Sequence, residues 1–140
     1  MVVGLVAVIH WPVGPLERIK HFSDEVVRPL FAPCSLLEIT LICVLAGFGE
    51  ELFFRAFLQA VMSDWWGPWI GVPAAAAVFG LLHMITPTYA LLAAGMGIYL
   101  GWAWLATGNL LAVVVAHAVY DFIALVYLVR VAPGPEQSAC

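Results

Sequence analysis

The chain is predicted to be all-α: a polytopic transmembrane helical bundle of about four core spans, preceded by an N-terminal amphipathic segment. Three observations predict it. Of the 140 residues 64% are hydrophobic and only 10% charged, with a mean hydropathy of +1.03, whereas charged residues make up about 25% of ordinary soluble domains. The apolar residues are gathered into four runs separated by Gly, Pro and Asn turns. Tryptophans cluster at the ends of those runs, where a bilayer places its headgroups. At about 20 residues per span the chain holds one compact bundle and no second domain.

Residues 1–9 are apolar but too short to span, because the chain runs on through His10, Trp11, Pro12 and Pro15 into charge. They lack the basic start of a signal peptide and read as the remnant of a longer helix or as an interfacial segment. From Glu17 the charges cluster as Glu17, Arg18, Lys20, His21, Asp24, Glu25 and Arg28 among Ile19, Phe22, Val26, Val27 and Leu30. That pattern predicts an amphipathic helix lying on the membrane surface. Residues 1–33 are thus a partial helix and interfacial segment, 34–130 the membrane core, and 131–140 a loose tail with Pro133-Gly134-Pro135.

The first span is expected at 36–62 and stops at Ser63-Asp64-Trp65-Trp66-Gly67-Pro68. The second covers 69–85, rich in small residues, and ends at Thr86-Pro87-Thr88. The third covers 89–106. In it Ala93, Gly97 and Gly101 fall four apart on one face, the spacing that lets helix backbones approach closely in lipid. Thr107-Gly108-Asn109 turns the chain into the fourth span, 110–129.

Nine acids against five bases give a net charge of -4, too sparse in base for a nucleic-acid surface. Cys34, Cys43 and Cys140 form no C-x-x-C pair, so neither a disulfide framework nor a thiolate zinc site is indicated. Four antiparallel spans put Arg18, Lys20, Arg28 and Arg130 on one side, with Trp65, Trp66, Trp69, Trp102 and Trp104 near the other. The positive-inside rule then places the segment before Leu36 and the C-terminus in the cytoplasm.

Against this apolar background stands Glu50-Glu51-Leu52-Phe53-Phe54-Arg55. A charge at the centre of a transmembrane helix costs roughly 2.5 to 3.5 kcal/mol, so three within six residues need partners. Glu51 and Arg55 are one turn apart and are read as an ion pair that neutralises one carboxylate. Glu50 points about 100° away and is read as the freer carboxylate, able to take a proton from water and return it. His83 follows Phe79 by four residues and His117 precedes Asp121 by four, so each pair shares a helix face.

Two histidines on separate spans predict one site shared with Glu50. His83 is expected to orient a water beside Glu50, and His117 with Asp121 to donate to an oxyanion. Asp121 donates only if protonated and otherwise fixes the tautomer of His117. The same chemistry suits zinc, for which Glu50, His83 and His117 are the ligands in question. No H-E-x-x-H pair is present, Ser35, Ser63, Cys34 and Cys43 have no evident base nearby in sequence, and Ser138 and Cys140 lie in the tail. His83 lies near the predicted end of its span, whereas Glu50 and His117 are roughly 13 residues from theirs. That leaves an offset of about 15 Å for the fold to remove.

These residues resemble the CAAX prenyl proteases and bacteriocin-processing enzymes, the CPBP or Abi family of intramembrane proteases. Glu50, Glu51 and Arg55 match its E-E-x-x-x-R motif, Phe79 and His83 its F-x-x-x-H motif, and His117 and Asp121 its H-x-x-x-N/D motif. The resemblance implies a glutamate-dependent endopeptidase in a bacterial-type plasma membrane, contacting lipids and a membrane-anchored peptide or protein substrate, prenylated or leader-containing. It implies that Glu50 and His83 activate water while His117 and Asp121 hold the oxyanion, with Glu51, Arg55 and Phe79 in support. It leaves the metal open, since members have also been described as metalloproteases. Asp121 stands where the prenyl-protease branch has asparagine, and the chain is expected to lack N-terminal helices that members carry. A non-catalytic immunity or scaffold protein is the alternative within the same family. A proton or ion pathway would also bury such residues, although no pair of similar halves is present.

Overall fold

The computed structural model describes residues 13–132, so segment 1–9 and the tail beyond Ala132 lie outside it. Among the described residues there are helices and no strands. We label them α1 (Pro15–Phe31), α2 (Leu36–Trp66), α3 (Pro68–Leu82), α4 (Pro87–Thr107) and α5 (Leu110–Val131). The four apolar runs predicted from sequence are α2 to α5.

Each helix starts where its caps dictate. Ser35 and Glu38 form a capping box before α2: Glu38 Oε2 accepts from Ser35 N at 2.7 Å, and Ser35 Oγ accepts from Glu38 N at 3.3 Å. Thr86 Oγ1 accepts from Tyr89 N at 3.1 Å, and Pro87 opens α4. Asn109 Oδ1 accepts from Ala112 N at 3.3 Å at the start of α5. Gly67 alone joins α2 to α3 with φ 77°, and Gly108 ends α4 with φ 60°, backbone conformations that glycine adopts without steric cost.

Length and apolarity qualify α4 and α5 as membrane spans; α1 and α2 qualify only as a pair, bent by 116° at their junction. By that measure two or three helices among the described residues qualify, where the sequence reading expects about four spans. The reason is local. α2 carries Glu38, Glu50, Glu51 and Arg55 within its apolar run, and the 15 residues of α3 extend about 22 Å, short of a hydrocarbon core of about 30 Å.

The chain divides into two compact units, one comprising the chain up to Cys43 together with the part from Val119 onward, the other Val44–Ala118. In the first, the C-terminal ends of α1 and α5 are tied by reciprocal arginines. Arg28 donates to Ala132 O at 3.2 Å, and Arg130 to Ala32 O at 3.1 Å and Cys34 O at 2.6 Å. Asp24 bridges Lys20 at 2.6 Å and Arg28 at 3.2 Å along α1, as its (i, i+4) spacing predicts.

In the second unit α3 packs on α4 through small residues. Val72, Ala75, Ala76, Phe79 and Gly80 are buried on α3, and Ala93, Gly97, Leu100 and Gly101 on α4. The predicted stripe of small residues is thus the seam. A methyl group at Gly97 would sit 3.1 Å from Ala76 Cα, and one at Gly47 would sit 3.1 Å from Ala118 N, so α3 meets α4 and α2 meets α5 almost backbone to backbone. Trp69 and Trp102 meet at 4.8 Å with their rings tilted by 53°, near the Gly67 turn, the aromatic end expected from sequence. Outward residues such as Leu45, Phe57, Leu91 and Leu111 are apolar and exposed, an exterior suited to lipid.

Gly80→Ala is expected to lose about 1–3 kcal/mol of stability, because its methyl would fall 2.5 Å from the Ala90 carbonyl oxygen and 2.8 Å from Ala94 Cβ. Gly95→Ala, with nothing within 4 Å, is expected to be neutral or slightly stabilising. Unfolding midpoints of the two variants in detergent check the contrast.

Candidate active site

The site is built within the second unit. Its backbone feature is a π-helical stretch at Leu52–Gln59 inside α2, immediately after the paired glutamates. Residues four apart share a helix face. Glu51, Arg55 and Gln59 accordingly form one buried polar row, at 0%, 1% and 1% exposure. Glu51 Oε2 pairs with Arg55 Nε at 3.0 Å. Arg55 also donates to Gly97 O at 3.3 Å, and Gln59 donates to Gly101 O at 3.2 Å. The small stripe of α4 thus does a second thing: the missing side chain at Gly101 leaves room for Gln59 to reach the backbone.

Glu51 has a further partner. Its Oε1 lies 2.7 Å from His117 Nδ1 on α5. The carboxylate that meets His117 Nδ1 is therefore the second of the paired glutamates. Asp121, one helical turn further along α5, belongs to the other compact unit.

Glu50 is the more exposed of the two acids, with 32% of its side chain accessible. Its Oε2 lies 3.7 Å from His83 Nε2 and 3.8 Å from His117 Nε2. The expected offset of His83 disappears because α3 is short and starts directly after a one-residue turn. Glu50 stands 17 residues before Gly67 and His83 16 after it, so the two come level. The chain leaves α3 at that depth with its backbone satisfied: His83 N donates to Phe79 O and Gly80 O, Met84 N to Leu81 O and Ile85 N to His83 O.

Both rings are held the same way round. A carbonyl oxygen only accepts, so His83 Nδ1 donates to Phe79 O at 2.8 Å. His117 Nδ1 likewise donates to the Glu51 carboxylate. Each ring therefore turns Nε2 toward Glu50. Phe79 braces the arrangement. Its ring stacks on His83 at 4.2 Å and 27°, meets Phe54 edge-on at 4.8 Å, and lies 5.2 Å from Arg55 Cζ.

Of the seven site residues read from sequence, six come together here: Glu50, Glu51, Arg55, Phe79, His83 and His117. Gln59 escaped the sequence reading. Its signal was its place, four residues after Arg55 and the next polar side chain in an apolar run. As for zinc, no group of three or more His, Cys, Asp or Glu side chains among the described residues has an arrangement that would hold a metal ion. The donor set of Glu50, His83 and His117 does not fit one as it stands.

Arg55→Met is expected to destabilise the protein by about 3–5 kcal/mol, since it removes the guanidinium partner of the buried Glu51 charge. Equilibrium unfolding in detergent measures this, and a loss below about 1 kcal/mol would contradict the buried pair.

No curated protein and no solved structure matches the chain. The family described as Type II CAAX prenyl endopeptidase Rce1-like matches residues 32–123, about two-thirds of the chain, and that stretch contains Glu50, Glu51, Arg55, Phe79, His83, His117 and Asp121. The chain belongs to this family of CAAX-type intramembrane proteases.

Proposed function

We propose that the protein is an intramembrane endopeptidase that hydrolyses a peptide bond of a membrane-anchored substrate with a water activated at Glu50. The observation that carries this reading is the convergence of Glu50 with two ring nitrogens whose partner nitrogens are both tied. At 3.7 and 3.8 Å the contacts are too long for direct hydrogen bonds, and they suit a water about 2.8 Å from each group.

Hydrogen counting assigns the roles. A water has two hydrogens, so it satisfies two of three acceptors facing it, and the third must carry its own proton. Glu50 and His83 take the water's hydrogens. His117 is the ring suited to the proton on Nε2, because its Nδ1–H already meets an anion, Glu51. Glu50 removes a proton as the water oxygen attacks the carbonyl carbon, and His117 Nε2–H donates to the developing oxyanion. The C–N bond then breaks as Glu50 returns the proton to the leaving amine. The assignment of Asp121 to the oxyanion rests on its motif position alone.

For orientation, we place the segment before Leu36 and the C-terminus in the cytoplasm. The support is that Arg28 and Arg130 are tied to the same chain ends and Lys20 is linked to Arg28 through Asp24. The substrate is a membrane-anchored peptide.

Glu50→Gln is expected to keep the fold and to lower cleavage of liposome-anchored peptides, prenylated or not, by at least about 100-fold. Equal turnover, followed by mass spectrometry, would end the mechanism. Because the chemistry derived uses side chains alone, activity is expected to survive a strong zinc chelator. Loss of activity that added zinc restores would contradict it.

A further inference from the structure

Glycine inside a helix is destabilising relative to alanine and persists where something needs the room. For five glycines of the second unit the protein itself needs it. A methyl group at Gly47, Gly71, Gly80, Gly97 or Gly101 would press on Ala118, Ser63, Ala90, Ala76 or Gln59 respectively. Gly49 and Gly95 differ, with no atom within 4 Å of the place a methyl would occupy. Gly95 lies on α4, which supplies none of the three side chains Glu50, His83 and His117. Gly49 immediately precedes Glu50 on α2, about 100° around the helix, and both Glu50 and His83 are part-exposed there, at 32% and 29% of their side chains.

We propose that Gly49 is where the substrate backbone lies against α2. Without a Cβ, the helix lets an extended peptide approach closely enough for its scissile carbonyl to reach the groups around Glu50. A side chain at 49 would hold the peptide off, although nothing in the protein would object to it. The proposal rests on the endopeptidase reading and adds the path of the substrate to it. The substrate class it selects is an extended, unfolded segment, since a helical or turned one presents side chains where Gly49 receives backbone.

The test compares Gly49→Leu with Gly95→Leu in liposomes carrying lipid-anchored, fluorophore-labelled peptides. Three readouts are taken: kcat/KM, the unfolding midpoint, and peptide affinity with Glu50→Gln added so that binding is read without cleavage. Gly49→Leu is expected to lower kcat/KM at least about 10-fold and to weaken binding comparably, with an unfolding midpoint equal to or above that of the parent. Gly95→Leu is expected to match the parent in all three. If Gly49→Leu does not fold, Gly49→Ala carries the test with an expected drop of about 3-fold. Parental cleavage and binding by the Gly49 variants overturn the proposal while leaving the endopeptidase reading intact. A parent that neither cleaves nor, with Glu50→Gln, binds any peptide overturns that reading, and this proposal falls with it.

Discussion

The Glu51 carboxylate, fully buried and shared between Arg55 and His117, is the interaction on which the rest depends. Burying a charge in an apolar bundle is tolerated only when it is paired and hydrogen-bonded. Here the pairing is also an act of positioning. Arg55 neutralises one oxygen and anchors to α4, while the other oxygen fixes the ring of His117. One carboxylate thus links three helices, α2, α4 and α5, and sets the direction in which a histidine faces its neighbour Glu50. The two adjacent glutamates divide the labour: the inner one holds, the outer one is left accessible for chemistry.

Two packing constraints make that linkage possible. The first is the close approach of helices through Gly47, Gly80, Gly97 and Gly101, which brings backbone carbonyls within reach of Arg55 and Gln59. The second is the brevity of α3. A helix that crossed the full hydrocarbon thickness would carry His83 past Glu50, whereas 15 residues after a one-residue turn stop it alongside. Irregular backbone then follows at that depth, as is usual where a chain borders a functional site inside a membrane.

Much of this was legible in the sequence, for physical reasons that can be named. Charges are costly in lipid, so Glu50, Glu51, Arg55, His83 and His117 stood out against an apolar run. Turn chemistry at Gly67-Pro68, Thr86-Pro87 and Gly108-Asn109 marked the helix ends. The stripe of Ala93, Gly97 and Gly101 announced close packing because its spacing is the helix repeat. What escaped carried a weaker signal. Gln59 shares by its spacing the face of Glu51 and Arg55, yet an uncharged side chain stands out less than a charge in an apolar run. Arg55 appeared sufficient for Glu51, so its second partner, His117, went unread. The capping box that Ser35 and Glu38 form at the start of α2 also went unread. Composition also did not reveal how short α3 is, at 15 residues.

The account turns on how the two rings are held, and that is directly measurable. In the folded protein with His10 and His21 replaced by glutamine, nitrogen NMR of labelled histidine reads the protonation of each ring nitrogen of His83 and His117. The predicted result is Nδ1 protonated in both rings, with a bare Nε2 on His83. Rings protonated at Nε2 with Nδ1 bare would contradict the tie of His83 to Phe79 and of His117 to Glu51, and with them the arrangement around Glu50.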